Sequence, residues 1–309
     1  MTAPVLDDFM LQLAPTPPLA VDPALLRARD SIWRALVDLG RVDDGALEKM
    51  WRWRDAEADV RYGFYRCYES LEDVRARVAP RLADAFRGQA PARPLVGAAS
   101  AARWDLQGLL AGLADADLDR DPANGEWTVR QTLAHIVNGQ RAYGWFTAWW
   151  LGRRDAPADD FPARVPEDVV KLLPAEETEA VGSLPEIGGR LDEILDLSAG
   201  VFAPLGDEEL AARARWSGIG VDVRFRVNRW TSHLREHTIQ VEKTLVMIDR
   251  PTSEVERLVR LVAAAWGRLE SDLFMWPAGD RWVGEALALA EQSAADIATD
   301  AATVATAAG

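Results

Sequence analysis

Apolar residues recur at three- and four-residue spacing through most of this chain, and alternating β-branched runs are scarce, so the pattern predicts an all-α fold. A first helix starts after Asp22-Pro23, a cap followed by proline in the first turn, and runs to about Gly40. A second helical stretch runs from about Asp44 to Val78, breaks near Arg54 and ends before Pro80. Helices A to D then cover about 95–114, 128–152 with Thr128 as N-cap, 185–202 and 225–248. Thr252 or Ser253 caps a further amphipathic helix to about Trp276. An Ala-rich helix after Asp280 fades into a low-complexity tail at 301–309. Only 221–227 (VDVRFRV) reads as well as strand as helix.

Breaks in the pattern suggest the organisation. The proline-rich residues 1–22 suit an extended arm, and QAPARP (89–94) marks a boundary. Residues 23–90 then form an N-terminal helical region, 91–250 a four-helix bundle, and 251–309 C-terminal helices with the Ala-rich tail. The long acidic crossover 153–182 between B and C, and a long connection from C to D, are what such a bundle needs. The stretch 48–71 (EKMWRWRDAEADVRYGFYRCYESL) faintly resembles helices A and B with an aromatic residue in place of histidine. It reads as a helical cap over the site in preference to a degenerate repeat. Arg52, Arg54, Arg61 and Arg66 give it a basic face, expected to pair with the acidic crossover or with solvent.

Composition removes several classes of function. A net charge of −14 opposes phosphate-backbone and anionic-membrane binding, which need clustered Lys and Arg. One cysteine excludes an internal disulfide and a cysteine zinc site, so Cys67 reads as a small buried hydrophobe in a reduced compartment. Residues 1–9 lack a basic and apolar leader pattern, and the apolar run 145–151 is too short to span a bilayer, so the expected location is cytoplasmic. Of the 13 tryptophans, Trp127, Trp145, Trp149, Trp150 and Trp230 read as core and wall, although Trp149 and Trp150 are not expected to face the core together.

The three histidines are few enough for their placement to matter: His135 lies in helix B, His233 and His237 in helix D. Residues at i and i+4 share one helix face, so His233 and His237 point the same way, and a third imidazole from a facing helix completes a three-nitrogen face with open positions for water or substrate. His-x-x-x-His alone also occurs on solvated helices, and here the flanks add weight. Thr128, Thr132, His135, Asn138, Ala142 and Trp145 form one stripe; Arg226, Trp230, His233, His237, Gln240 and Thr244 form the other. Both mix histidine with polar and small residues where a structural bundle carries Leu and Ile. Asn138, Arg226, Trp230 and Gln240 are the candidate substrate contacts. The metalloprotease motif is absent because Leu234 follows His233, and no Glu-x-x-His pairs are present for a carboxylate di-iron site. Glu236 projects off the ligand face. No catalytic residue beyond the metal ligands is expected.

At these residues the segment from about 98 to 245, roughly half the chain, resembles the DinB-like superfamily of four-helix bundles, which includes the bacillithiol-transferase and mycothiol-dependent maleylpyruvate isomerase types. The carrying features are a helix ending in an acidic loop, Gly125-Glu126-Trp127-Thr128-Val129 running into Thr132-Leu133-Ala134-His135-Ile136, and HLREHTIQ from His233 to Gln240. The resemblance implies a divalent ion held by His135, His233 and His237. In the maleylpyruvate isomerase type the first residue of the helix D pair tends to be Glu, so His233 places this chain nearer the three-histidine branch. The implied activity is a thiol-dependent S-transfer or isomerisation with a low-molecular-weight thiol as cosubstrate; a metal-dependent amide or ester hydrolase and a non-catalytic metal-containing module are the alternatives. Zinc or nickel suits the imidazoles best, with iron or manganese also compatible. The expected partner is a small molecule, not nucleic acid or membrane, and a homodimer is compatible.

Overall fold

A computed structural model describes residues 10–12, 17–53, 56–85, 91–276 and 281–309. Most of the extended arm, the break near Arg54 and the first residues of the 89–94 boundary lie outside them. The fold is all-α, with two short antiparallel hairpins among the described residues. Two compact units divide the chain: unit 1 comprises 1–20, 88–99 and 118–244, and unit 2 comprises 21–87, 100–117 and 245–309. No helix among the described residues is long and apolar enough to cross a membrane.

Unit 1 is built on α4 (Val129–Leu151), α5 (Leu184–Phe202) and α6 (Val223–Met247), with the start of α3 (Arg93–Leu110). The α4 N-terminus follows its capping chemistry: the Thr128 hydroxyl accepts the Gln131 N–H and the Gln131 side chain accepts the Thr128 N–H, which satisfies two of the orphan donors of the first turn. At the α5 N-terminus the Glu186 carboxylate accepts from both the Ser183 N–H and the Ser183 hydroxyl at 2.7 Å. The crossover contains only one-turn helices, yet it is pinned to α4. Arg141 donates twice to Glu179, at 2.7 and 3.1 Å, in a buried ion pair, and Arg130 donates to the carbonyls of Ala180 and Gly182. Trp149 and Trp150 are both buried, against expectation. They meet edge to face at 4.7 Å, and Phe161 of the crossover stacks on Trp150 at 5.1 Å, so a second layer covers what a lone helix would expose.

The stretch 221–227 resolves into both of its readings. Strands β3 (Arg213–Trp216) and β4 (Ile219–Asp222) pair around a two-residue turn, and α6 starts at Val223. Ser217 and Gly218 both have positive φ, 49° and 82°, as a tight hairpin turn requires.

Unit 2 contains α1 (Pro23–Leu39), the hairpin β1 (Met50–Trp53) and β2 (Ala56–Asp59), α2 (Val60–Ala85), α7 (Glu254–Leu273) and α8 (Arg281–Ala308). The sequence reading of 44–78 as broken helix is corrected here: the hairpin occupies its first part, and α2 runs through the exposed Pro80. The Ala-rich tail is also not frayed, since α8 continues to Ala308 with Ala301, Val304 and Ala308 buried. Arg61 pairs with Glu254, and Arg66 with Glu69, so both basic residues find their partners inside unit 2 and not on the crossover.

One carboxylate organises this unit. Glu270 is fully buried and accepts from Arg29 at 2.8 and 3.0 Å, Arg103 at 2.5 Å, Ser100 at 2.5 Å, and the indole N–H groups of Trp104 and Trp266 at 2.9 and 3.1 Å. Burial alone would raise its pKa. The charges of Arg29 and Arg103 and the hydrogen bonds from Arg29 and Ser100 outweigh it and bring the carboxyl down to about 2. Truncating one partner of such a network leaves the others charged and dry, so Glu270→Ala is expected to cost about 3–5 kcal/mol in urea unfolding. Because the folded pKa lies below the unfolded one, this stabilisation is complete above about pH 4.5 and is lost as pH falls toward 2. Wild-type and Glu270→Ala midpoints should converge over that window; a gap independent of pH would contradict the assignment.

Candidate metal centre

Helices α4 and α6 bring the three histidines together within unit 1. His233 and His237 stand one turn apart with ring centroids 4.3 Å apart, and His135 faces them at 5.2 and 4.6 Å. Nε2 of His135 lies 3.3 Å from Nε2 of His233, and one nitrogen from each ring falls within 4.8 Å of the others. Metal–nitrogen bonds of about 2.0–2.1 Å in tetrahedral geometry separate neighbouring nitrogens by about 3.3 Å, so the first pair already stands at chelating distance.

The close approach depends on a glycine. A Cβ on Gly139 would sit 2.5 Å from Cε1 and 2.9 Å from Nε2 of His233, well inside contact distance. Glycine in a helix interior costs roughly 1 kcal/mol relative to alanine. Here its missing side chain is the space that the His233 ring fills.

Electrostatics keeps the α6 rings neutral. Burial, then the neighbouring imidazoles His237 and His135 and the Arg229 charge, pushes His233 down to about 3. Burial also lowers His237, against the opposing pull of its hydrogen bond with Gln240. Acceptors then select the ring nitrogen. His135 Nδ1 lies 3.2 Å from Oε2 of Glu176 and His237 Nδ1 lies 2.7 Å from Oε1 of Gln240, so a proton held on each Nδ1 leaves Nε2 with its lone pair. His233 Nδ1 lies 3.3 Å from the Gln140 amide, which also reaches the Trp230 carbonyl at 3.3 Å, while Gln140 Oε1 is buried without a partner. Metal ligation by His233 Nε2 requires its proton on Nδ1, and the Gln140 amide then turns its oxygen to the ring and gives up the bond to the Trp230 carbonyl. The donor set therefore fits a divalent ion of imidazole-accepting type.

The surround is mixed. Trp127 packs against His135 at 5.1 Å, and Tyr143 meets His233 edge on at 5.3 Å. Arg229 lies beside the Tyr143 and Trp216 rings and donates to both carboxylate oxygens of Glu236 at 2.7 Å, so Glu236 is turned away from the imidazoles.

Among the candidate substrate contacts, Gln240 touches His237, and Asn138 donates to the Pro174 carbonyl at 3.1 Å. Arg226 is buried, bonded to Thr147 and the Arg215 carbonyl, and Trp230 is fully buried against Phe202. Sequence reasoning missed Glu176, Gly139, Gln140 and Tyr143. Gly139 had a signal, a glycine inside helix B four residues from His135; Glu176 had none, because the crossover has no periodicity.

Residues 98–241 match the model of the DinB superfamily. That match spans a little under half of the chain and supports a DinB-like assignment for this segment. Comparison with curated proteins and with solved structures gave no match. The superfamily is metal-binding and includes metal-dependent enzymes, and among the described residues His135, His233 and His237 form a cluster that could hold an ion.

Two outcomes follow. Gly139→Ala is expected to destabilise the protein by about 1–3 kcal/mol through overpacking against His233, and to weaken metal binding in titration; an unchanged affinity would contradict the role given to the glycine. The fold keeps His233 neutral while the unfolded chain takes up a proton below about pH 6.5. The metal-free protein therefore loses stability as pH falls, at up to about 1.4 kcal/mol per pH unit from this ring. His233→Asn should flatten urea midpoints between pH 6.5 and 5, and an unaltered slope would contradict it.

Proposed function

We propose that His135, His233 and His237 hold a divalent ion, zinc or nickel first and iron or manganese next. In this reading the DinB-superfamily bundle is a metal-dependent enzyme that acts on an external low-molecular-weight thiol, as an S-transferase or isomerase. The observation that carries the proposal is the donor set: three convergent imidazoles, two of them held neutral, with no carboxylate among the ligands. An ion so held keeps its double charge and, when bound, supplies the field that favours thiolate over thiol.

The chain's own residues do the rest. Glu176 and Gln240 hold the Nδ1 protons of His135 and His237 and fix the ring planes. Trp127 packs on His135 and Tyr143 on His233, so aromatic surface borders the imidazoles on two sides. The buried Arg141–Glu179 pair keeps the crossover, and Glu176 with it, against α4. The protein offers no thiolate of its own, because burial pushes the Cys67 thiol up to about 12. That favours an external thiol as nucleophile and a small-molecule electrophile as substrate. The net charge of −14 argues against nucleic acid as a partner.

Elemental analysis of the purified protein is expected to find about one divalent ion per chain. A panel of small thiols and electrophiles is expected to show thiol-dependent turnover. His237→Ala should lose at least about 100-fold in kcat/KM with helicity retained, and Glu176→Gln should lose roughly 10–100-fold in metal affinity. Ester or amide turnover without thiol would replace the transferase reading with a hydrolase. A loaded protein inert across the panel would leave a metal-containing binding module, and a protein that takes up no ion would end the proposal.

A further inference from the structure

The two units share a plan that the sequence reading attached to the wrong elements. Shifting 53 to 216, a step of 163 residues without a gap, lays Leu47 on Leu210, Trp53 on Trp216, Asp59-Val60-Arg61 on Asp222-Val223-Arg224, Arg66 on Arg229 and Leu71 on Leu234. The stretch 48–71 thus matches the hairpin and helix D, not helices A and B. The geometry repeats with it. Both hairpins have the same register, Met50 opposite Asp59 and Arg213 opposite Asp222. Asp59 accepts the Tyr62 N–H at 2.8 Å, and Asp222 accepts the Phe225 N–H at 2.7 Å. The Arg66 guanidinium lies 5.0 Å from the Trp53 ring, and that of Arg229 lies 5.5 Å from Trp216. The same shift carries α1 onto α5.

The other half of the plan comes from the opposite end of the chain. Moving 129 to 283, a step of 154, places seven of the ten buried residues of α8, Val283, Ala286, Leu287, Ala290, Ala294, Ala301 and Val304, on buried residues of α4, Val129, Thr132, Leu133, Ile136, Gln140, Thr147 and Trp150. Helix α7 precedes α8 as α3 precedes α4. Unit 2 therefore draws its counterparts of α5 and α6 from the N-terminal part of the chain and its counterpart of α4 from the C-terminal part, a circular permutation of the unit 1 order.

Both shifts can then be applied to the ligands. His233 falls on Ser70, His237 on Val74 and His135 on Leu289. These three residues, on α2 and α8, line one cleft of about 660 Å³ in unit 2, together with Trp53 and Arg66. Gly139, whose missing side chain admits the His233 ring, falls on Ser293, which lines the same cleft as Ser70, a side chain much smaller than imidazole. Where the imidazole is gone, the glycine is gone with it.

We propose that unit 2 is a permuted copy of the DinB-type bundle and that its cleft is the metal-free counterpart of the three-histidine site, so that the chain carries two such sites by architecture and one by chemistry. The ligand set transferred here rests on the reading given under Proposed function; the repeat does not. The test restores the missing donors: Ser70→His, Val74→His and Leu289→His, placed in a chain whose His135, His233 and His237 are all replaced by Ala, and titrated with Co²⁺ by visible absorption. The expected result is about one equivalent of Co²⁺ with a ligand-field band, against none in the parent lacking all histidines. A milder variant, Ser70→His with Leu289→His, keeps the buried Val74 and is read as a Co²⁺-dependent rise in Tm. Folded variants that bind no Co²⁺ would overturn the proposal. So would failure of both to fold, because the partly exposed positions 70 and 289 of a true counterpart must accept imidazoles. Wild-type protein that binds no Co²⁺ beside a triple variant that does would end the metal reading of unit 1 and leave this one standing.

Discussion

Everything distinctive in unit 1 depends on holding uncharged imidazoles edge to edge in a half-buried site. Protonated rings would repel one another at the separations found, and solvated rings would not stay there. Burial, the neighbouring imidazoles and the nearby Arg229 charge disfavour the imidazolium forms of His233 and His237, and Glu176 and Gln240 stand where they accept hydrogen bonds from Nδ1 of His135 and His237. Nothing in this arrangement works unless α4 can come close to α6, which is the service of Gly139. A helix-weakening residue and a set of desolvated polar groups both count against stability. Their coincidence at one point is what the proposed metal centre requires and what packing alone does not.

The cost is met by rigid surroundings. The crossover is held to α4 by the buried Arg141–Glu179 pair and by Arg130 bonding to two backbone carbonyls, and it shields Trp150 with Phe161. A segment without periodicity thereby becomes a fixed wall that delivers Glu176 to His135. In unit 2 the corresponding burden falls on Glu270, where six hydrogen bonds from five side chains satisfy one carboxylate.

The sequence made the helices around the site legible because their signals are local. Thr128 with Gln131 specifies where α4 starts, Asp22-Pro23 where α1 starts, and His233 with His237 fixes one face of α6. The facing of His135 was legible from the polar stripe of its helix and from the resemblance of the segment to a known bundle. What escaped were features set by tertiary contact. Four-residue strands are too short for alternation to register, although Ser217-Gly218 offered a turn signal. Pro80 sits on an exposed face where α2 tolerates the missing N–H. Trp149 and Trp150 are buried together because a second layer exists that no single-helix pattern contains. The repeat was hidden because its halves lie at opposite ends of the chain and the ligand positions, the most conspicuous residues of one copy, are absent from the other.

The two copies also separate architecture from chemistry. The tryptophan and arginine at the hairpin, the aspartate cap and the buried helix faces recur in both, and so belong to the fold. His135, His233, His237 and Gly139 occur in one alone. The central claim, that these imidazoles form an open metal centre, is tested most directly by X-ray absorption spectroscopy of the metal-loaded protein. The account predicts three imidazole nitrogens at about 2.0–2.1 Å and at least one light-atom ligand from solvent, replaced by sulfur when a small thiol is added. A shell of four protein ligands, or one without imidazole scattering, would contradict it.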